Sequence, residues 1–391
     1  MKEENEKYFS NSIKEIDSGS SKSFNHIGSE LILEGIFSTG QCPTQSGITS
    51  YYVPRKDKLG VKPLDRSDVN TDFTWELLEL SGYKAATLNF NGTHNTLDST
   101  TLSISERFAS VPSTNEMDWP VALGSVNCHN TIEKYRDFRW HPNIVNHKEL
   151  LSMFGENAPY VDNRLKTLIL NQMCEQSTIQ NIALDLLDND YHDFIAIRFG
   201  ILESIRLAIH NFKIQGVAID SAIAEKIRFN IGWFVDQCIG RVQASLGPSD
   251  SLVLTGGGDK PFVIMRGSMI NEDELFSPSM TVFDVVPSIL AIAGQESKVL
   301  SGISQICASQ KLEQIQCYDS LQHENVCPTI CVDHAAFDLA EATPSAACIK
   351  ELEEVLFAKN LSLYHYAIQT NNEQLARQMH YRLLPYSSTA D

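Results

Sequence analysis

Residues 251–294 decide the fold and read SLVLTGGGDKPFVIMRGSMINEDELFSPSMTVFDVVPSILAIAG. A short apolar run at 251–255 ends in three glycines, and a second apolar run follows at 262–265. Short runs of this kind, bounded by glycine and proline, are typical of buried strands. Asp284, Pro287 and Gly294 then stand where a helix is capped, begun and ended. The stretch therefore predicts two strands followed by a helix.

The rest of the chain alternates in the same way. A helix is predicted over 29–39, because Ser29 suits the N-cap and Gly40 the position past the last turn. The other expected helices cover 72–81, 161–189, 202–213 and 218–246, and the other expected strands cover 83–90 and 193–199. Strands alternating with helices indicate an α/β protein with a mostly parallel, doubly wound sheet and helices on both faces.

Composition and charge exclude several classes of partner. The 391 residues are 42% hydrophobic and 20% charged, as in ordinary globular proteins. The formal net charge of −18 disfavours non-specific binding to nucleic acid or to an anionic membrane. The opening decapeptide MKEENEKYFS lacks the apolar core of a signal peptide, and no apolar run is long enough to span a bilayer. We expect a cytoplasmic protein without nucleic-acid or membrane partners.

Three regions are expected along the chain: a polar arm at 1–27 that is a short helix or disordered, an α/β domain at 28–297, and a helical region at 298–391. Within the last region, 352–384 reads as a helical hairpin of the tetratricopeptide type. One pair is too few for a solenoid, so we interpret it as a capping appendage, with a partner-binding groove as the alternative.

The nine cysteines do not predict a disulfide framework, since their number is odd and their spacing irregular. Cys327, Cys331 and His334 have the spacing C-x3-C-x2-H. A structural zinc site needs four ligands, so ordinary thiols are the preferred interpretation.

Four segments together resemble the alkaline phosphatase superfamily, in particular its type I phosphodiesterase/nucleotide pyrophosphatase branch. STGQCPTQSGI at 38–48 resembles a TG-x-x-P-x-x-HGI loop with Ser46 in place of His. The other three are TWELLELSGYKAATLNFNGTH at 74–94, DFIAIRFGILESIRLAI at 193–209 and TVFDVVPSILAIAG at 281–294. The resemblance covers about 29–297 and implies that family's α/β fold.

The resemblance also implies where a two-metal site would lie, and this chain departs from it there. The nucleophile position falls on Glu30, or on Ser29 with a slip of one residue; Ser29 suits an N-cap equally well. The family's D-x-x-x-H pair falls on Glu203 and Leu207. Its later Asp-His pair falls on Gly256 and Gly257.

Too few metal ligands remain for the family's two-metal hydrolysis, because loss of imidazole and carboxylate removes charge and zinc preference. Asp259 is the nearest remaining ligand type after the glycines, and the first metal-binding Asp has no apolar strand before residue 29. A start of the chain that omits this strand is one explanation of its absence.

We therefore expect a degenerate, non-catalytic protein that binds a small anionic ligand or a protein partner and needs no cofactor. The alternative is a metal-dependent phosphodiesterase with a remodelled site in which Ser29, Glu203 and Asp259 converge on zinc or manganese. Whether the chain is an enzyme is left open, with the non-catalytic interpretation preferred.

Two further patterns have structural and functional interpretations. The run TGGGDK at 255–260 lacks the spacing of a phosphate-binding loop and is taken as a strand-end turn, although ligands do bind at such edges. The segment EKYRDFRWH at 133–141, near His94, His129 and His147, could contact an anion. A solvated loop or a structural salt bridge is the preferred explanation for its Lys134, Arg136 and Arg139.

Overall fold

The computed structural model describes residues 20–25, 29–55, 60–96, 99–110, 119–145, 161–214, 219–258, 260–267, 270, 276–277, 279–298, 300–304 and 313–314. The chain groups into two compact units, residues 1–47 with 65–319, and residues 48–64 with 320–391. All features discussed below belong to the first unit, except the hairpin of β2 (Tyr52–Pro54) and β3 (Val61–Pro63) in the second. The expected boundaries at 28 and 298 stay predictions. The cysteine–histidine cluster at 327–334 and the hairpin at 352–384 lie outside the described residues.

A parallel three-stranded sheet lies at the centre of the first unit. It consists of β4 (Ala85–Leu88) between β5 (Leu102–Ile104) and β6 (Phe194–Ile197). All four residues of β4 are buried, as expected for a central strand of apolar and small residues. The strands predicted at 83–90 and 193–199 are thus confirmed, with shorter bounds.

The strands of the 251–294 stretch form a different sheet from the expected one. β7 (Leu252–Gly256) and β8 (Phe262–Arg266) pair antiparallel, and β1 (Ser20–Ser23) pairs antiparallel with the other edge of β8. The glycine-rich connection is short, which permits a hairpin but no crossover. One described three-stranded sheet is therefore parallel and the other antiparallel. The expectation of a mostly parallel, doubly wound sheet was wrong for this stretch. β9 (Gln295–Glu296) and β10 (Glu313–Gln314) form a further parallel pair.

The strand β1 also corrects the expectation for the N-terminal arm. Residues 20–23 read SSKS and were expected to be helical or disordered. Backbone pairing to β8 needs no apolar side chains, which explains why the strand carried no signal in the sequence. It is polar and differs from the apolar first strand that the family resemblance implies.

The six predicted helices are present in the predicted order, and two short helices lie in segments that were expected to be loops. The helices are α1 (Glu30–Thr39), α2 (Pro43–Ser46), α3 (Thr74–Leu80), α4 (His129–Tyr135), α5 (Asn163–Asn189), α6 (Ile201–Ile214), α7 (Ser221–Ala244) and α8 (Val285–Ile292), of which α2 and α4 are the two unexpected ones. Short 3₁₀ turns lie at Arg66–Asp68, Arg136–Phe138, Pro142–Ile144 and Val282–Asp284. Within the described part of the chain, no helix is both long and apolar enough to cross a membrane.

Local signals explain how the key helices begin and end. The Ser29 hydroxyl accepts from the Ile32 amide at 3.4 Å, and Gly40 ends α1 with φ of 67°. The expected capping role of Ser29 is confirmed. Asp284 acts differently from the expected cap: its carboxylate accepts from the Thr281 and Ile303 amides, and a 3₁₀ turn precedes α8. Gly294 follows α8 with φ of 72°, as predicted.

Helices pack against both faces of the parallel sheet. On one face, Ile179, Ile182, Ala183 and Leu186 of α5 pack with Ala86, Leu88 and Ile104 of the parallel sheet. On the other face, Val286 and Leu290 of α8 pack with Leu77 and Leu78 of α3 and with Phe194. Val285 of α8 joins a cluster with Leu33, Ile36 and Val253, so α8 contacts core belonging to both sheets. Polar residues at the strand ends are thereby held on a packed framework.

Candidate functional site

The carboxyl ends of the three parallel strands bring polar residues to one edge of the sheet. Asn91 follows β4, Glu106 and Arg107 follow β5, and Arg198 follows β6 directly. Parallel strands all end at the same edge, and ligands in open α/β sheets bind there. The edge is therefore the first place to look for a site.

A largely buried chain of charges lies at this edge, and Arg198 is its centre. The Arg198 Nε lies 2.7 Å from the Glu34 Oε2, and its Nη2 donates to the Glu203 Oε2 at 3.1 Å. The side chains of Glu34, Arg198 and Glu203 are 11%, 17% and 9% exposed. Each ion thus has an opposite charge in contact, as buried ions require. We call these three residues the inner ion triad.

Glu34 is fixed from a second side by Asn91. The Asn91 backbone N–H donates to the Glu34 Oε1 at 2.7 Å, and the Asn91 amide Nδ2 donates to its Oε2 at 2.8 Å. Burial raises the pKa of Glu34, whereas Arg198 and the Asn91 donors lower it. The two Asn91 hydrogen bonds place one donor on each oxygen of the Glu34 carboxylate.

Gly200 leaves the space that the Arg198 guanidinium occupies. A Cβ built on Gly200 would overlap the Arg198 Nη1 and lie 2.7 Å from its Cζ. The Gly200 N–H donates to the Gln176 Oε1 at 3.1 Å, which fixes the backbone here. A side chain at 200 would therefore displace the centre of the inner ion triad.

Glu30 and Arg206 form an outer pair beside the triad. Arg206 Nε lies 2.9 Å from the Glu30 Oε1; the Arg206 side chain is 53% exposed and that of Glu30 is 18% exposed. Burial raises the pKa of Glu30, the charge of Glu203 raises it further, and Arg206 lowers it. Glu30 is thus within electrostatic reach of the triad, and the exposed Arg206 faces solvent at the mouth of the site.

Gly256 and Gly257, which were singled out in the sequence, lie at the end of β7 beside this cluster. A Cβ on Gly257 would lie 3.2 Å from the Glu30 Cγ, and a Cβ on Gly256 would overlap the Phe262 ring. The glycines allow the end of β7 to lie close against Glu30 and Phe262. This gives them a packing role.

Glu106 adds a fourth carboxylate at the same edge. Its Oε1 accepts from the Arg107 Nε at 3.3 Å, and its buried Oε2 has no hydrogen-bond partner among the described residues. Burial raises the pKa of Glu106 to about 7; Arg107 opposes the shift, the Glu34 charge adds to it, and Arg198 opposes it. Burial therefore favours the protonated form of this carboxyl in the folded chain.

The structure brings together some of the residues that the sequence singled out. Glu30 and Glu203 belong to one cluster, and Gly257 adjoins it. Leu207 is 37% exposed on α6 and takes no part in the ion pairs. Asp259 lies outside the described residues, so its convergence with Ser29 and Glu203 stays a prediction.

The donor set does not fit a divalent metal. Among the described residues, no group of three or more His, Cys, Asp or Glu side chains is placed to hold a metal ion. The oxygens of Glu34, Glu203 and Glu30 contact guanidinium groups, whose positive charge repels a dication. Imidazole and thiolate, which zinc prefers, do not contribute to the cluster as described.

The residues that complete the cluster were not predicted from the sequence. They are Glu34, Asn91, Glu106, Arg198 and Arg206. Glu30 and Glu34 stand four residues apart in a predicted helix, a spacing that places two carboxylates on one face. That spacing and the polar residues after each predicted strand were the signals available.

The basic-aromatic segment has a structural role. The Arg139 guanidinium lies 3.8 Å from the Trp119 ring centroid and 5.6 Å from that of Phe108, and it donates to the Trp119 and Pro120 carbonyls. Lys134 pairs with Asp185 at 2.8 Å. These contacts agree with the preferred structural interpretation.

His94 and His141 lie in different surroundings. The buried His94 has its Nδ1 3.3 Å from the Ser105 hydroxyl, and burial lowers its pKa to about 4. The ring of His141 packs edge-on against Trp119. His147 lies outside the described residues.

Comparisons with known proteins add a distant structural likeness. No family model matches the sequence, and no curated protein matches it. A solved structure of BT4656 in complex with its substrate D-glucosamine-2-N,6-O-disulfate is similar with a TM-score of 0.38 and 12% identity, over 78% of this chain and 76% of that chain. A likeness at this level does not define a family for the chain. Fold and site define an α/β protein with an ion-pair cluster at the carboxyl edge of its parallel strands.

Proposed function

We propose that this chain is a non-catalytic scaffold, distantly related to the alkaline phosphatase superfamily, that binds an anionic ligand or a protein partner. The observation that carries the proposal is the Arg198 guanidinium, which contacts both Glu34 and Glu203 at the edge where a metal centre would lie. A guanidinium between two carboxylates neutralises them without a metal. Its contacts hold both carboxylates in place and engage oxygens that a metal ion acting on a phosphoester or sulfate ester would need.

The exposed Arg206 side chain supports the proposed binding of an anionic ligand. Arg206 is the more exposed member of the outer pair, and the Glu30 carboxylate is its ion-pair partner. A phosphate, sulfate or carboxylate group can replace the Glu30 carboxylate on a guanidinium, because all three are anions with oxygens in similar geometry. Anion binding at Arg206 therefore competes with the Glu30 pair.

Metal analysis and turnover measured together test the proposal. The purified full chain is dialysed against zinc and then against manganese, and bound metal is measured by mass spectrometry. We expect well below one equivalent of either metal and no turnover of bis-p-nitrophenyl phosphate or p-nitrophenyl sulfate. Two equivalents of metal together with turnover that Ser29→Ala abolishes would overturn the proposal.

The alternative is a metal-dependent phosphodiesterase with a remodelled site. The observation in its favour is that Glu30 and Glu203 belong to one cluster and that Ser29 directly precedes Glu30. Ser29 is occupied as the N-cap of α1, which leaves its hydroxyl engaged with the Ile32 amide. The same assay with Glu203→Gln as a second variant separates the two proposals, since a metal ligand lost here would lower both metal content and turnover.

A further inference from the structure

Asn91 and Gly92 form the one Asn–Gly pair in the sequence. Asparagine is thermolabile, because the backbone nitrogen of the residue that follows it can attack the side-chain amide. A following glycine favours this attack, since no Cβ crowds the attacking nitrogen. The sequence around position 91 is therefore prone to spontaneous deamidation.

The turn after β4 explains why glycine stands at position 92. Gly92 is buried and has φ of 79°, in the left-handed region that residues with a Cβ rarely adopt. The Thr93 hydroxyl donates to the Phe90 carbonyl at 2.7 Å across the same turn. The backbone geometry of the turn thus requires the glycine that makes Asn91 susceptible.

Two donors of Asn91 bind one carboxylate. The backbone N–H donates to the Glu34 Oε1 at 2.7 Å, and the side-chain Nδ2 donates to the Glu34 Oε2 at 2.8 Å. Both bonds are charge-assisted, and together they fix the orientation of the Asn91 side chain. Attack requires the Asn91 Cγ to lie about 3–3.5 Å from the Gly92 nitrogen in an aligned geometry. Free rotation of the side chain into that geometry would cost the bond from Nδ2.

Glu34 is itself held firmly. Its side chain is 11% exposed, and the Arg198 Nε lies 2.7 Å from the same Oε2 that accepts from Asn91. The carboxylate therefore cannot follow the Asn91 side chain without giving up its contact with Arg198. The restraint on Asn91 is thus connected to the inner ion triad.

We propose that Asn91–Gly92 is a spontaneous deamidation site which Glu34 protects in the folded chain, and that deamidation there weakens the inner ion triad. The inference rests on the contacts between Asn91 and Glu34 and goes beyond the proposed function. Metal content and turnover do not decide it, so the two proposals can fail separately.

The reaction needs only water and has two steps. In the first, the Gly92 nitrogen gives up its proton and forms a bond to the Asn91 Cγ, while the bond from Cγ to Nδ2 breaks and ammonia leaves with that proton. In the second, water opens the resulting succinimide at either carbonyl, which leaves aspartate or isoaspartate at position 91. The bonds to Glu34 oppose the first step, because that step requires the side chain to rotate.

The product changes the contact with Glu34 from attractive to repulsive. An acidic residue at position 91 lacks the Nδ2 donor and carries a negative charge. Glu34 already lies within electrostatic reach of Glu203 and Glu106. A further carboxylate beside it disfavours the charged form of each. Deamidation therefore removes one of the groups that hold Glu34 and adds a charge that opposes it.

Peptide mass spectrometry of the full chain, incubated at pH 8, measures the reaction at position 91. In the folded chain we expect deamidation at least about tenfold slower than in the same chain unfolded in guanidinium chloride, where Glu34 no longer holds Asn91. Glu34→Gln should accelerate the reaction in the folded chain at least about threefold, since glutamine offers an acceptor to only one of the two Asn91 donors. Glu30→Gln, one turn earlier on α1, is the matched control and should leave the rate unchanged.

Three outcomes would overturn the proposed protection. Equal rates in the folded and the unfolded chain would show that the fold does not restrain Asn91. Equal acceleration by Glu34→Gln and Glu30→Gln would remove Glu34 from the explanation. An unfolded chain that stays unmodified at position 91 would exclude the site itself. If circular dichroism shows that Glu34→Gln is unfolded, the comparison of the folded and unfolded unaltered chain still decides.

Two substitutions of Asn91 test the effect of the product. Asn91→Asp introduces the charge that deamidation creates, whereas Asn91→Ala removes the Nδ2 donor and keeps the backbone N–H. We expect the urea midpoint of unfolding at neutral pH to fall in both variants, and to fall further in Asn91→Asp because its charge opposes Glu34. A midpoint of Asn91→Asp at or above that of Asn91→Ala would contradict the proposed weakening of the triad.

Discussion

Arg198 lies 2.7 Å from Glu34 and contacts Glu203 with the same guanidinium, so one largely buried cation holds two largely buried carboxylates. The two glutamates come from α1 and α6, and Arg198 itself follows β6. The inner ion triad therefore connects two helices to the end of the parallel sheet. Removing its centre leaves two neighbouring carboxylates without the positive charge of Arg198.

Arg198→Met should destabilise the protein by about 3–5 kcal/mol, because breaking a buried pair leaves uncompensated buried charge. The measurement is urea unfolding followed by circular dichroism. Arg206→Met is the matched control: its partner Glu30 is paired at 2.9 Å, but Arg206 is 53% exposed, so the loss should stay below about 1 kcal/mol. Equal losses in the two variants would contradict the assignment of Arg198 as the centre.

Gly200→Ala should also destabilise the protein, by about 1–3 kcal/mol, because the new methyl group overlaps the Arg198 guanidinium. The cost should shrink in an Arg198→Met background, since the thioether can move aside, and a double-mutant cycle by urea unfolding measures the difference. Gly247→Ala serves as the control: its Cβ would lie 3.4 Å from the Asp250 Oδ2, an ordinary contact. Additive effects at 198 and 200 would rule out the proposed overlap.

Elements with local signals were predictable from the sequence. The helix α1 was placed by Ser29 and Gly40, whose cap and left-handed conformation are both observed. The parallel strands β4 and β6 were placed by apolar runs bounded by loops. Such signals depend on a few neighbouring residues, so they survive without knowledge of tertiary contacts.

Long-range pairing was not predictable in the same way. β1 pairs with β8 across more than two hundred residues through backbone groups alone, and its side chains are polar. The antiparallel turn between β7 and β8 was mistaken for part of a parallel sheet, because apolar runs do not encode strand direction. The triad was missed since its members stand apart in sequence, and only Glu203 and the neighbouring Glu30 had been singled out.

Glu79 should stabilise the loop after it through charge-assisted hydrogen bonds. Its carboxylate accepts from Ser99 Oγ at 2.6 Å and from Thr100 N at 2.6 Å, and also from Thr101 Oγ1 at 2.8 Å. Burial raises the pKa of Glu79, but these donors outweigh burial and lower the pKa to about 2. Glu79→Gln should cost about 1–2 kcal/mol at neutral pH.

The stability that Glu79 contributes should decrease as the pH falls. Because the folded pKa of Glu79 lies below its ordinary 4.5, its contribution is present above pH 4.5 and is lost as pH falls toward about 2. The unaltered chain should therefore lose its advantage over Glu79→Gln in acid, as measured by urea unfolding at pH 7 and at the lowest pH where both fold. An advantage that stays constant would indicate that the charge plays no part.

The contribution of Glu106 to stability should depend on pH in the opposite direction to that of Glu79. Burial raises its pKa from the ordinary 4.5 to about 7, and its Oε2 has no hydrogen-bond partner among the described residues, so ionisation is unfavourable in the folded chain. The folded state then binds more protons than the unfolded state between these values, and the stability present below pH 4.5 is lost as pH rises through about 7. The loss amounts to at most about 3 kcal/mol.

Glu106→Gln isolates this effect, because the amide has nearly the same shape and cannot ionise. Between pH 5 and pH 8 the unaltered chain should lose stability relative to Glu106→Gln, as measured by urea unfolding at both values. Glu79→Gln measured in parallel should show no such loss over this range, since the Glu79 pKa lies well below it. If the unaltered chain gained stability over Glu106→Gln as pH rose, Arg107 and Arg198 would outweigh burial, and Glu106 would be a fully ionised member of the cluster.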